Sequence, residues 1–246
     1  MANITGVGLI SGVDLYTSET TPTHPLGALL FGINGKAFRY VQAGTTALVV
    51  GNVLQGPTVD TQFDDMTPGT CAAGFDAQGQ GVQVVIGTTT VTANMFSGAS
   101  LAVSVTPGLG EEYTVQGHTT GTSGGTLTFY LDRKIRTGWT SATRVTLRNL
   151  WNGVVQAPAT TLTNAVAGVA IYALPASTYG WIQTKGLCAA LNDGSTAVVG
   201  SDVGAPGTVA GAFGVNVAGS GKSNSVGRIL RANASGKTVQ VYLDLD

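Results

Sequence analysis

Apolar and polar residues alternate along this chain in short runs. Each run stops at a cluster of Gly, Pro, Asn, Asp or Ser. Such a period of two is the mark of half-buried strands. In RVTLRNL (144–150) apolar and polar residues alternate from Arg144 to Arg148. ALLFGING (28–35) ends at Asn34-Gly35, a strong hairpin signal. In the KAFRYVQAG run that follows, Phe38, Tyr40 and Gln42 take one face and Ala37, Arg39 and Val41 the other. ALVVGNVLQGP then stops at Gly56-Pro57. Residues 59–80 read as a loop or crossing segment. GVQVVIG, TTTVTA and SLAVSV read as strands, with MFSGAS a turn or a single helical turn between them. YTVQG and TLTFYLD form a hairpin across HTTGTSGG. Strand candidates continue to the C-terminal TVQVYLDLD, and no stretch carries an apolar stripe of period 3.6.

The expected fold is therefore all-β, with two or more small β-barrel or β-sandwich units and little helix. Pro22 and Pro25 exclude regular helix and central strand near the N-terminus. The predicted division is an extended arm over 1–27, a first β unit with inserted hairpins over 28–151, and a second β unit over 152–246. Two segments echo each other, 38–57 and 179–206. Tyr40-Val41-Gln42 matches Trp181-Ile182-Gln183, and both segments run on to a Thr/Ala/Val/Gly core and a Gly/Pro stop. Aligned this way, the later copy carries an extra loop from Leu187 to Ser195. Self-similarity of this kind predicts two related β units.

Composition adds a constraint on the surface. Charged residues are 10% of the chain, against about 25% in a typical soluble domain. Hydrophobic residues make up 43% and the net charge is −1. A surface so poor in charge favours burial against neighbouring copies. The 36 glycines and the abundant Thr and Val suit tight turns and pleated strands. Cys71 and Cys188 read as two buried free thiols. The N-terminus lacks a basic segment followed by an apolar run, so no signal peptide is expected. No apolar stretch reaches 18 residues, so no membrane-spanning helix is expected.

Candidate chemistry is sparse. His24 and His118 are the two histidines, and neither has a metal-binding spacing. GSGKS (219–223) ends like a phosphate loop but has Asn216 where the motif needs its first Gly. The acidic pairs Asp64-Asp65, Glu111-Glu112 and Asp244/Asp246 read as solvated turns and rim ion pairs. They nominate no acid and base for a glycan hydrolase. No catalytic residue, cofactor or metal is expected, and the chain reads as a non-enzyme. Five of the twelve basic residues cluster in 133–151: Arg133, Lys134, Arg136, Arg144 and Arg148. They could meet nucleic acid, an acidic patch on a partner protein, or only water. A chain without net positive charge argues against specific nucleic-acid binding. Trp139, Trp151, Trp181 and Tyr179 are either core and interface anchors or an exposed sugar platform.

The succession HPLGALLFGINGKAFRYVQAGTTALVVGNVLQGP, LRNLWNGVVQAP, YGWIQTKGLCAALNDGSTAVVGSDV, VGRILRAN and terminal VQVYLDLD resembles tailed-phage virion proteins of the structural or head-decoration type. The resemblance covers nearly the whole chain and carries no catalytic motif. It implies a capsid decoration protein on the outer surface of the virion, assembled in the host cytoplasm. Such a protein cements the lattice of the major capsid protein, and the implied state is a homotrimer. A tail or receptor-binding fibre component is the alternative. On this reading the arm 1–27, with Pro22, His24 and Pro25, lies across a neighbouring subunit, and the basic cluster is a partner contact.

Overall fold

The computed structural model describes residues 13–58, 60–196, 198–216, 225–231 and 237–246. Three strands come first: β1 (Leu29–Phe31), β2 (Ala37–Ala43) and β3 (Val53–Gln55). Six follow in the middle: β4 (Thr67–Pro68), β5 (Val82–Val85), β6 (Ser100–Val105), β7 (Glu112–His118), β8 (Thr126–Leu131) and β9 (Arg144–Arg148). The last seven are β10 (Asn152–Gln156), β11 (Val166–Ala170), β12 (Tyr179–Leu191), β13 (Asp202–Gly204), β14 (Gly214–Val215), β15 (Ser225–Arg231) and β16 (Thr238–Asp244). Two short 3₁₀ turns, Ile33–Gly35 and Thr61–Phe63, are the only helical elements among the described residues. The all-β expectation holds.

The chain does not divide at 151/152. One compact unit comprises Met1–Thr58 and Leu150–Asp246, and Val59–Asn149 forms the other. The physical reason lies in strand pairing. β10 hydrogen-bonds antiparallel to β3 and parallel to β2, so the chain on either side of the middle six strands belongs to one sheet. The middle unit is an insertion in the β3–β10 connection, a long-range arrangement that local periodicity does not reveal.

In the inserted unit the strand order is β4-β5-β8-β7-β6-β9. The sheet curls until its outer strands meet: Met66 N–H donates to Val145 C=O (2.9 Å) and Val145 N–H donates back (3.0 Å). Alternate residues of β8 and β9 enter one apolar core with Tyr113, Ile135 and Trp139. The RVTLRNL alternation thus buries Val145 and Leu147 as its period requires.

In the discontinuous unit, β2-β10-β3-β11-β12 form a closed five-stranded barrel, because β12 pairs antiparallel with β2. Closure removes exposed strand edges. Asn34 and Gly35 both take positive φ (60° and 69°) in the β1–β2 hairpin, as the Asn-Gly signal predicts. Val41, Leu54, Val154, Ala170 and Ile182 fill the interior.

A second, half-open barrel curls from the same long strand, in the order β12-β16-β15-β13-β14. It repeats the first, register for register. Gln42 opposes Tyr179 and Phe38 opposes Gln183 in β2–β12; Leu191 opposes Thr238 and Leu187 opposes Tyr242 in β12–β16. Val49-Val50-Gly51 and Val198-Val199-Gly200 make the same turn, with glycine φ of 83° and 88°. Each turn closes with a 3.1 Å bond, Asn52 N–H to Val49 C=O and Ser201 N–H to Val198 C=O. Each glycine then donates at 2.8 Å to the adjoining strand, Gly51 to Ala170 and Gly200 to Ile229. A parallel contact follows in both copies, Ala43 with Val154 and Asn192 with Phe213. The predicted duplication is therefore present in the strand pairing, but its alignment differs from the one read in sequence. Leu187–Leu191 is no extra loop; it is the second half of β12 and the counterpart of β2. Tyr40-Val41-Gln42 and Trp181-Ile182-Gln183 are paired neighbours in one barrel, not equivalent positions.

Candidate functional site

Residues 13–27 are described, and they dock on their own barrel. Residues 1–12 of the expected arm lie outside the described residues. Glu19 forms a two-way backbone bridge with Tyr179 (2.9 and 2.8 Å). Val13, Leu15, Leu26 and Ala28 pack on Leu30, Phe38, Tyr40 and Trp181, the outer face of β2 and β12. His24 sits 5.3 Å from the ring centres of both Tyr40 and Trp181, while Pro22 and Pro25 are exposed. Residues 13–27 thus make an intrachain contact, while Pro22 and Pro25 stay exposed. The cause is the unusually aromatic outer face, which needs cover.

One polar lock holds this segment. Tyr40 Oη donates to Glu19 Oε2, Thr23 Oγ1 donates to the same oxygen (2.7 Å), and Thr23 N–H donates to Tyr40 Oη (3.2 Å). Burial opposes ionisation of Glu19, but the hydrogen bonds from Tyr40 and Thr23 outweigh it and lower its pKa. Burial and the Glu19 bond raise the pKa of Tyr40.

The five basic residues do not form one patch. Arg133 and Arg136 line an open cleft of about 620 Å³ in the inserted unit, with Leu109, Glu111, Tyr113 and Thr137. Arg133 lies over the Tyr113 ring (5.0 Å), donates to Glu112 C=O and pairs with Asp132 (3.0 Å). The Arg136 side chain is 85% exposed, with Nε 3.6 Å from Glu111. Lys134 is exposed on the same turn. Arg144 and Arg148 stand instead on β9. Arg144 donates to the carbonyls of Ser141 and Thr143 (2.8 Å each), and Arg148 pairs with Asp64. Sequence proximity brought these two into the cluster, and strand geometry takes them out.

Glu111 anchors the cleft floor. Its side chain is 10% exposed. It accepts from Tyr113 Oη (2.5 Å), Thr137 Oγ1 (2.5 Å) and Thr137 N–H (3.3 Å). Burial works against its charge, yet those bonds and the Arg136 guanidinium hold its pKa below the ordinary 4.5. Burial, then the Glu111 bond, push Tyr113 up to about 12. The carboxylate is saturated with donors and held charged, which makes it a structural anchor and a poor proton shuttle. Arg136 and Leu109, by contrast, face outward. This arrangement can receive a carboxylate-bearing surface by bidentate pairing next to an apolar contact.

The other sequence candidates have structural roles. His118 is buried. Its Nε2 accepts from Phe96 N–H (2.9 Å), which leaves Nδ1 to donate to Thr119 C=O (2.8 Å). Burial lowers its pKa, so the ring is neutral. Asp246 pairs with Arg39 (2.7 Å) and accepts from Thr184. Asp244 pairs with Lys185 (3.5 Å). Trp139 and Trp181 are buried, which removes them from any sugar platform. Cys71 and Cys188 are free thiols, and burial pushes Cys188 up to about 12. The GSGKS segment lies outside the described residues. No helix among the described residues is long and apolar enough to cross a membrane.

Sequence reading missed two features of the site. Glu111 appeared only as half of an acidic pair, and Leu109 did not appear at all. The Tyr113 two residues from Glu111 was the available signal, since side chains at that spacing share one strand face. No family model, no curated protein and no solved structure matches this chain.

Proposed function

We propose that this protein is a virion structural protein of the capsid-decoration type, which docks on a lattice of major capsid protein through the cleft of the inserted unit. The observation that carries the reading is the exposed Arg133-Lys134-Arg136 turn beside Leu109, held in place by the donor-saturated Glu111. An all-β frame with a charge-poor surface supports a role in assembly. Binding the assembled lattice and not its free subunits stabilises the shell by linkage.

The test is electron microscopy of the purified protein mixed with expanded empty phage heads. Regular knobs on the shell are expected, and their loss in a folded Arg133→Glu/Lys134→Glu/Arg136→Glu variant. Bare shells with the unaltered protein would overturn the proposal. Elongated rods that ignore the shell would favour a tail or fibre component.

A further inference from the structure

The second barrel has its own version of the connection that holds the inserted unit. Gln55 opposes Val155 and Leu54 opposes Gln156 in β3–β10; Gly204 opposes Gly214 and Val203 opposes Val215 in β13–β14. The next bond along is shared as well: Ala157 N–H donates to Val53 C=O (3.0 Å), and Asn216 N–H to Asp202 C=O (2.9 Å). A small buried residue and a proline then leave both strands, Gly56-Pro57 and Ala205-Pro206. From there the second barrel reaches β14 through a short loop over 207–213, closed by Gly207 N–H to Ala212 C=O (3.0 Å). The first takes in the whole of Val59–Asn149 on the way to β10. The same connection therefore occurs in this chain both with and without an insertion.

Each part is complete in its own terms. Among the described residues, the apolar core of the inserted unit runs from Phe63 to Leu147, and the three apolar clusters of the barrels use no residue from that range. The ends of the insertion are fastened to each other from within. Arg148 pairs with Asp64, and Met66 and Val145 exchange two backbone bonds. The points where the insertion leaves and rejoins the barrel are also adjacent, since a Cβ on Gly153 would stand 3.6 Å from Pro57 Cβ. A unit with its own core and adjacent points of attachment can be present or absent without reordering the host sheet.

We propose that Val59–Asn149 is an autonomous recognition module, carried in one of two equivalent connections of a duplicated barrel body that keeps its fold without it. The module holds the whole cleft of Leu109, Glu111, Arg133 and Arg136, so partner binding and the barrel fold belong to separate parts of the chain. The recognition half of this inference rests on the capsid reading; the autonomy of the two parts does not.

The experiment is calorimetry of the full-length chain beside the head-decoration assay. Two melting transitions are expected. Trp139→Ala should lower one by about 10 °C or more and leave the other in place, and Leu54→Ala should lower only the other, by about 5 °C. Should Trp139→Ala unfold the module outright, the body's transition should persist unchanged. A chain in which a link of about four glycines and serines replaces Val59–Asn149 should keep that transition and leave shells bare. A single transition shifted by both substitutions, or an excised chain that does not fold, would overturn the autonomy. Shells decorated by the excised chain would overturn the assignment of recognition to the module. Bare shells with the unaltered chain would remove the capsid reading and the recognition half together, while the melts would still decide the autonomy.

Discussion

At one register position the first barrel carries Trp181 and the second Gln240; one position over, the first has Tyr40 and the second Ala189. Most interior positions diverge less, although buried Ala43 of the first has buried Asn192 as its counterpart. Ile182 and Val241 both face inward, as do Leu54 and Val203, and Val154 and Phe213. Close packing favours apolar side chains of fitting volume, so most of the barrel interiors stays apolar. The outer faces answer to what lies on them, and among the described residues the N-terminal segment lies on the first alone. The difference teaches that strand order and register can be inherited together while the partner of a face changes.

The sharpest way to break this comparison is to truncate the equivalent outer residues. Trp181→Ala should cost about 3–5 kcal/mol in chemical denaturation, since it empties a buried aromatic site. Gln240→Ala at the equivalent position should stay within about 0.5 kcal/mol. Equal costs would refute the assignment of residues 13–27 as cover for one face alone.

A second pair probes what the barrels share. Gly168 and Gly227 occupy equivalent positions in β11 and β15, next to irregular pairing. A Cβ on Gly227 would stand 2.0 Å from the Tyr242 carbonyl oxygen, and one on Gly168 2.6 Å from that of Gln183. Gly227→Ala should cost about 3 kcal/mol and Gly168→Ala about 2 kcal/mol, because the clashing atoms are backbone. A neutral result at either would mean that the two copies bend their strands differently.

The two compact units also share a device, a buried tyrosine hydroxyl donated to a glutamate. In the barrel unit, Tyr40 reaches Glu19, distant in sequence, and fastens the N-terminal segment. In the inserted unit, Tyr113 reaches Glu111, two residues away, and fastens the Thr137 turn. Tyr→Phe at either site should cost about 2 kcal/mol, the scale of a hydrogen bond to a charged group. The Tyr40 change should also raise hydrogen exchange in residues 13–27, while the Tyr113 change should raise it near Thr137.

The smallest effect concerns pH. His118 has a lowered pKa in the fold, so the unfolded chain takes up its proton first. The contribution of the neutral ring is complete above 6.5 and is lost as pH falls through the folded value. Glu19 and Glu111 act likewise from 4.5 downward, because their folded pKa values are also lowered. The denaturant midpoint should fall in two stages on acidification, and His118→Gln should flatten the earlier one. A single stage beginning below 4.5 would place the His118 ring in water.

Much of the fold was readable from local pattern. The Asn34-Gly35 hairpin and the β9 alternation follow from turn chemistry and period alone. The duplication was readable too, because the Val-Val-Gly turn recurs with its glycine at positive φ. Its alignment was not. Tyr40-Val41-Gln42 and Trp181-Ile182-Gln183 are alike because they pair across one barrel, and a sequence does not separate likeness by descent from likeness by contact. The site was half readable. The exposed turn at 133–136 is a local feature, whereas Arg148 is withdrawn by Asp64, far away in the chain.

By itself the sequence determined an all-β chain, the places of most of its strands and turns, and a surface with little charge, though TTTVTA, read as a strand, forms only an isolated bridge at Val91. Those properties depend on side-chain period, backbone preference and composition, all local to a few residues. Tertiary structure alone decided that Val59–Asn149 is an insertion and that residues 13–27 lie on their own barrel. It likewise decided that Glu111 is an anchor and that, among the described residues, the segment 13–27 covers one of two equivalent faces. Each of these depends on pairing between residues far apart in the chain, where loop closure places few limits on which segments meet.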